Sequence, residues 1–156
     1  MTAAHWSMKL IELDTCSPAV TWAAAQTTYA EAWENCERGD WLLWLAGRLE
    51  VDQKLLVKAG CACARTALQY VPKGEERPRI AIETAEAWAE GRATLSQVRA
   101  AAAAAAAWAA SASASAWAAW AASASAAAST AAAEASAASR EHAALVRAII
   151  ARPRLP

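Results

Sequence analysis

Thr94-Leu95-Ser96-Gln97-Val98-Arg99, followed by unbroken alanine from Ala100 to Ala107, opens a stretch that runs to Glu134 without another charged side chain. Thr94 and Gln97 stand at capping-box spacing, where each side chain satisfies a free N–H at a helix start. Alanine is the strongest helix former, and here it supplies about a third of the chain. Phe is absent, and so much Ala with so few β-branched residues excludes an all-β or doubly wound design. The predicted fold is all-α. Short N-terminal helices form a compact bundle over residues 1–93, and residues 94–156 form an Ala-rich helical hairpin packed on it as one structural unit. A single helix from Leu95 to Ala151 would be about 85 Å long, too long for this domain. Trp108 and Trp117 would also point in opposite directions along it. A break is therefore expected between Ser123 and Thr130, with Trp108, Trp117 and Trp120 anchoring the tail. The last helix, Arg140 to Ala151, carries Leu145, Val146, Ile149 and Ile150 and stops before Pro153.

The 156 residues (16.4 kDa) carry fifteen basic and fifteen acidic side chains. Zero net charge without a basic run argues against a nucleic-acid binder that works by phosphate neutralisation. The uncharged tail is longer than the roughly twenty residues that span a bilayer. It is built of Ala and Ser, which gain little on insertion, so no membrane span is expected. Met1 to Leu10 lacks a basic region followed by an apolar one, and so does not read as a secretory signal. Cys16, Cys36, Cys61 and Cys63 form no C-x-x-C pair. On a helix Cys61 and Cys63 point roughly 200° apart, so they read as buried thiols in a reducing cytoplasm rather than as a metal site.

Toward the N-terminus, Ser17-Pro18 reads as a cap followed by proline at the first helical position. Thr28 and Glu31 form a second capping box, opening a helix that carries Trp33 and ends at Gly39. Asp40 then reads as the cap of Trp41-Leu42-Leu43-Trp44-Leu45, a run apolar on every side and so expected to be buried centrally. Gly47 marks that helix's end or a close approach by another backbone. Asp52 opens a longer helix to Val71, stopped by Pro72. Its polar stripe is Lys54, Lys58, Arg65 and Gln69, and its inward seam is Leu56, Gly60, Cys63 and Ala67. After the Pro72–Glu76 loop, Arg77-Pro78-Arg79 starts a helix ending at Gly91, with Ile82, Ala85 and Ala89 inward.

Three segments carry a family resemblance: Cys36-Glu37-Arg38-Gly39-Asp40-Trp41-Leu42-Leu43-Trp44-Leu45-Ala46-Gly47, Cys61-Ala62-Cys63-Ala64-Arg65, and Arg77 through Ala89. With the Ala-rich tail, they resemble the Imm-five-like putative immunity proteins of bacterial toxin–immunity loci, phages and prophages. The resemblance covers Leu13 to Arg99 in detail and the tail only in composition; family tails often carry His or charged residues where this one has Ser and Trp. It implies an all-helical protein that binds and neutralises a toxin or defence component. It brings no catalytic residues.

Two clusters are candidate binding sites. The first is Arg38, Asp40, Trp41 and Trp44, where indole faces beside Arg and Asp suit a nucleobase or a protein hot spot. Its plainer account is an N-cap with two core indoles. The second is the stripe Glu83, Glu86 and Glu90, with Arg79, which suits a basic partner. Its plainer account is a solvated face on which Arg79 pairs with Glu83, four residues on. Trp88 is expected to pack against the Trp41 helix. His5, in a loose N-terminus, and His142, solvated or at a helix cap, have no acid–base partner at a telling spacing, and no phosphate loop or metal motif is present. The expectation is a binding protein without enzymatic activity, cofactor or metal, acting on a protein toxin or defence effector. The alternatives are sequestration of a small nucleotide-like signal in a Trp/Arg-lined pocket, and a homo-oligomer formed through the Ala-rich tail.

Overall fold

The computed structural model describes residues 5–107 and 128–155. The chain is all-α. Its helices are α1 (Met8–Glu12), α2 (Ser17–Ala24), α3 (Tyr29–Asn35), α4 (Gly39–Arg48) and α5 (Gln53–Thr66), the last continued by a 3-10 turn over Ala67–Tyr70. α6 (Arg77–Ala89) follows, then α7 over 95–107, then α8 (Ala128–Ile149). The last helix therefore begins well before Arg140. The expected break at Ser123–Thr130 falls mostly outside the described residues, and Trp108, Trp117 and Trp120 fall wholly outside them.

The core lies where α4, α5 and α8 meet. Val146 and Ile150 are 0% and 1% exposed, packed with Leu42 and Ala46 of α4, Ala59 and Cys63 of α5, and Trp33 of α3. Burying each of these two aliphatics stabilises the fold by about 1.5–3 kcal/mol. Leu145 and Ile149 add partly buried contacts. The chain's last helix is thus one wall of the central core.

α5 is covered on two sides, by α6 and by α8. Cys61 and Cys63 take opposite faces, as their spacing requires: the Cys61 thiol donates to the Ile82 carbonyl of α6 and the Cys63 thiol to the His142 carbonyl of α8, each at 3.8 Å. This two-sided burial shifts the expected seam. Ala59, Cys61 and Cys63 are buried, Leu56 and Gly60 are half-buried, and Ala67 is exposed. α6 keeps Ile82 and Ala89 inward with Ala85 half-buried, and its principal neighbour is α5. Trp88 is half-buried and is not among the side chains packed on the central cluster with Trp41.

The capping boxes form as read. Thr28 Oγ1 accepts the Glu31 N–H at 3.1 Å, and Thr94 Oγ1 accepts the Gln97 N–H at 3.2 Å while Gln97 Oε1 accepts the Thr94 N–H at 2.8 Å. Asp52 caps α5 by accepting the Lys54 N–H at 2.7 Å. Two other caps differ. α2 starts at Ser17 itself, so Cys16 is its N-cap and Pro18 its second residue. α3 ends at Asn35, and Gly39 is the first residue of α4 rather than the end of α3. Arg38 takes the cap position, leaving the Asp40 side chain free for an ion pair.

Gly39 is also a point of close approach between two backbones. A Cβ there would fall 2.6 Å from His142 Cβ and 2.9 Å from Ala143 N, whereas one at Gly47 would meet only Leu56 Cδ1 at 4.0 Å. α4 is not buried on every side either. Leu42 and Ala46 face the core, while Trp44 is 39% exposed beneath the Arg48 guanidinium, 5.4 Å from its ring centroid.

His5 and Trp6 are tied down rather than loose. His5 Nε2 and Trp6 Nε1 both reach the Gln26 carbonyl, at 3.1 and 3.2 Å, and His5 Nδ1 bonds Ser7 Oγ at 2.8 Å. His142 is neither solvated nor at a cap. It is half-buried, with Nε2 2.8 Å from Thr66 Oγ1. No helix among the described residues is long and apolar enough to cross a membrane.

Candidate functional site: an indole-lined cavity

The helices α1 to α4 and the segments between them line an open-mouthed cavity of about 550 Å³, within the range of small-molecule sites. Five of the nine tryptophans line it: Trp6, Trp22, Trp33, Trp41 and Trp44. The reason for the space is a mismatch of side-chain size. Where the short helices α2 and α3 face α4, their inward positions include Ala19, Ala23 and Ala32, all buried in the cavity wall. Alanine cannot reach across the distance that the indoles hold open.

The walls are ordered by ring contacts. Trp22 and Trp41 meet edge to face, with centroids 6.1 Å apart and planes at 60°, a favoured aromatic arrangement. Trp6 lies 5.7 Å from Tyr29. Arg38 covers the Trp41 ring at 4.7 Å and also grips Asp40 in a two-pronged bond, Nε to Oδ1 at 2.8 Å and Nη2 to Oδ2 at 2.5 Å. This guanidinium holds the Asp40 carboxyl below the usual carboxylate range. Asp14, also in the wall, pairs with Arg48 at 3.6 Å.

Among the described residues, Thr15 Oγ1 and Tyr29 OH are the buried side-chain oxygens without a hydrogen bond, and both residues line the cavity. Burial pushes the Tyr29 phenol up to about 12, against a smaller opposing pull from Arg152. Buried hydroxyls are rarely left unpaired in a folded protein.

Of the residues proposed from sequence, Arg38, Asp40, Trp41 and Trp44 come together on this cavity. Arg79, Glu83, Glu86 and Glu90 stand apart on and just beyond α6, outside the cavity wall. Their charges are used within the chain. Glu83 takes two bonds from Arg79 at 2.7 and 2.9 Å, Glu86 is gripped by Arg65 of α5 at 2.8 and 2.5 Å, and Glu90 pairs with Arg92. Sequence reading missed Trp6, Trp22 and Trp33, for which the density of Trp in the N-terminal third was the available signal. For Thr15 and Tyr29 there was none.

Among the described residues no three His, Cys, Asp or Glu side chains converge as metal ligands. No family model, curated protein or solved structure matches the chain.

Proposed function

We propose that this chain is a small-molecule binding protein that holds a planar ligand in the indole-lined cavity without transforming it. The carrying observation is the cavity itself, walled by five tryptophans. Indoles at fixed angles supply stacking area at little conformational cost, because the ring contacts already hold them. The wall carboxylates, Asp14 and Asp40, are both held in ion pairs, which suits a binding pocket better than acid–base chemistry. Sequestration of a signal molecule is the biological role that fits such a pocket.

Neutralisation of a protein target, implied by the family resemblance, has less support. The acidic stripe offered for it is paired internally at every position, and a basic partner would have to displace Arg79, Arg65 and Arg92.

The test is native mass spectrometry of the protein purified from its host, with tryptophan fluorescence on the same material. A retained mass in the range of a few hundred daltons, lost in Trp41→Ala and Trp22→Ala, is the expected result. A protein with no retained mass, whose fluorescence no aromatic compound alters and which instead captures a stoichiometric protein partner, overturns the proposal.

A further inference from the structure

Each indole in the cavity wall has to be held at its angle by something. Trp33 is 2% exposed and fixed by the core around it, and Trp6 donates from Nε1 to the Gln26 carbonyl at 3.2 Å. Trp41 is held less by packing. It is half-buried, and with Trp22, Cys36, Arg38 and Asp40 it also lines a second, more open groove beside Ser139 and His142 of α8. Bordering two open spaces removes contacts that would otherwise fix a side chain's rotamer.

What does touch Trp41 is directional. Trp22 meets it edge to face at 6.1 Å, and the Arg38 guanidinium lies 4.7 Å from its ring centroid, inside cation–π range. The Arg38 backbone is anchored: it is the N-cap of α4, and the next residue, Gly39, is pressed against His142 of α8. Its guanidinium is then gripped by Asp40, Nε to Oδ1 at 2.8 Å and Nη2 to Oδ2 at 2.5 Å. Both side chains are exposed, by 50% and 60%, and exposed ion pairs add little to stability. A two-pronged pair nevertheless fixes the orientation of the guanidinium plane.

Resting on the reading of this cavity as a ligand site, we infer that Asp40 is a positioning residue of that site: it holds the Arg38 guanidinium over Trp41, and through it the angle that Trp41 presents to a bound ring. The carboxylate acts through Arg38 rather than on the ligand. Without it, Arg38 swings into solvent and the indole must be ordered at the moment of binding, a cost that falls on affinity.

The test uses the full chain with naphthalene as the probe, its affinity measured by equilibrium dialysis, and circular dichroism as a second readout. Indoles in fixed edge-to-face contact couple their transitions and give a paired positive and negative band; the part due to this pair is the part lost in Trp22→Phe. Asp40→Asn is expected to shrink that band and to weaken naphthalene binding about three- to tenfold, the cost of ordering one side chain on binding. Arg38→Met should do the same, and adding Asp40→Asn to it should change neither readout further, because the carboxylate has then lost the group it acts through. A single cooperative urea transition shows that each variant is folded. A parent-like band or a parent-like affinity in Asp40→Asn overturns the inference and leaves the cavity reading standing. So does an Asp40→Asn effect of equal size in the Arg38→Met background, which would place the carboxylate on the ligand. If the parent chain does not bind naphthalene, the cavity reading fails, and this inference with it.

Discussion

Gly39, the first residue of α4, lies against His142 near the middle of α8, so closely that a Cβ on Gly39 would stand 2.6 Å from His142 Cβ and 2.8 Å from the His142 carbonyl carbon. The atoms in the way belong to backbone and Cβ, not to the movable end of a side chain. This contact sets how near α4 can come to α8, and so how well Leu42 and Ala46 meet Val146 and Ile150 in the core.

Gly39→Ala should therefore destabilise the fold, although alanine is ordinarily welcome in a helix. Overpacking of this kind costs about 1–3 kcal/mol, and a loss near the upper end is expected because two backbones must separate. Urea unfolding of the pair measures it. A variant as stable as the parent would show that α8 does not sit this close.

Arg147 on α8 donates from Nη1 to the Trp33 carbonyl at 3.2 Å and to the Cys36 carbonyl at 2.7 Å, closing the C-terminal end of α3. Carbonyls at a helix end lack partners within the helix, and a cation there also meets the negative end of the helix dipole. Arg147→Met keeps the apolar stem and removes the donors, and should cost about 2 kcal/mol by chemical unfolding. Because Trp33 lines the cavity, the same variant should weaken ligand binding; a binding curve unmoved by the substitution would separate α3's position from the site.

Tyr29→Phe should leave the free protein as stable as the parent or stabilise it by about 1 kcal/mol, because the hydroxyl it removes is buried without a partner. The same phenol has its pKa raised to about 12. A raised folded-state value means that stability is fully present below the unfolded tyrosine value and is lost as pH rises through the folded one. Phenolate absorbance should show a transition near 12 in the parent that is missing from the variant. Marked destabilisation by Tyr29→Phe would mean that the hydroxyl has a partner after all.

Acid should weaken the fold modestly over a defined window. Asp40 and Glu86 are lowered from 3.8 and 4.5 by Arg38 and Arg65, and Glu75 is lowered to about 2 by Arg77. Depressed carboxyl values give stability that is present above the unfolded values and lost as pH falls through the folded ones. The urea midpoint should hold steady down to about pH 5 and then drop toward pH 2. Asp40→Asn should flatten part of that drop, and an undiminished drop in the variant would assign it to other groups.

What the sequence determined by itself is what a helix decides within a turn or two. The capping boxes at Thr28/Glu31 and Thr94/Gln97, the Asp52 cap, the Arg79–Glu83 pair and the opposed directions of Cys61 and Cys63 all follow from backbone periodicity, and all were legible. Arg38, Asp40, Trp41 and Trp44 were legible too, being neighbours in the chain. Only the tertiary structure decided the rest. Gly39 reads as a helix end until His142 is brought against it, and Arg147 finds its carbonyl partners only when α8 packs against residues more than a hundred positions away in the chain. The cavity depends on the spacing that indoles and alanines from three helices and from the turn before α1 leave between them, and Thr15 and Tyr29 are buried without a partner among the described residues only once those elements have closed over them. Space left by imperfect packing, and hydroxyls orphaned by it, are properties of the assembled helices and have no local pattern to read.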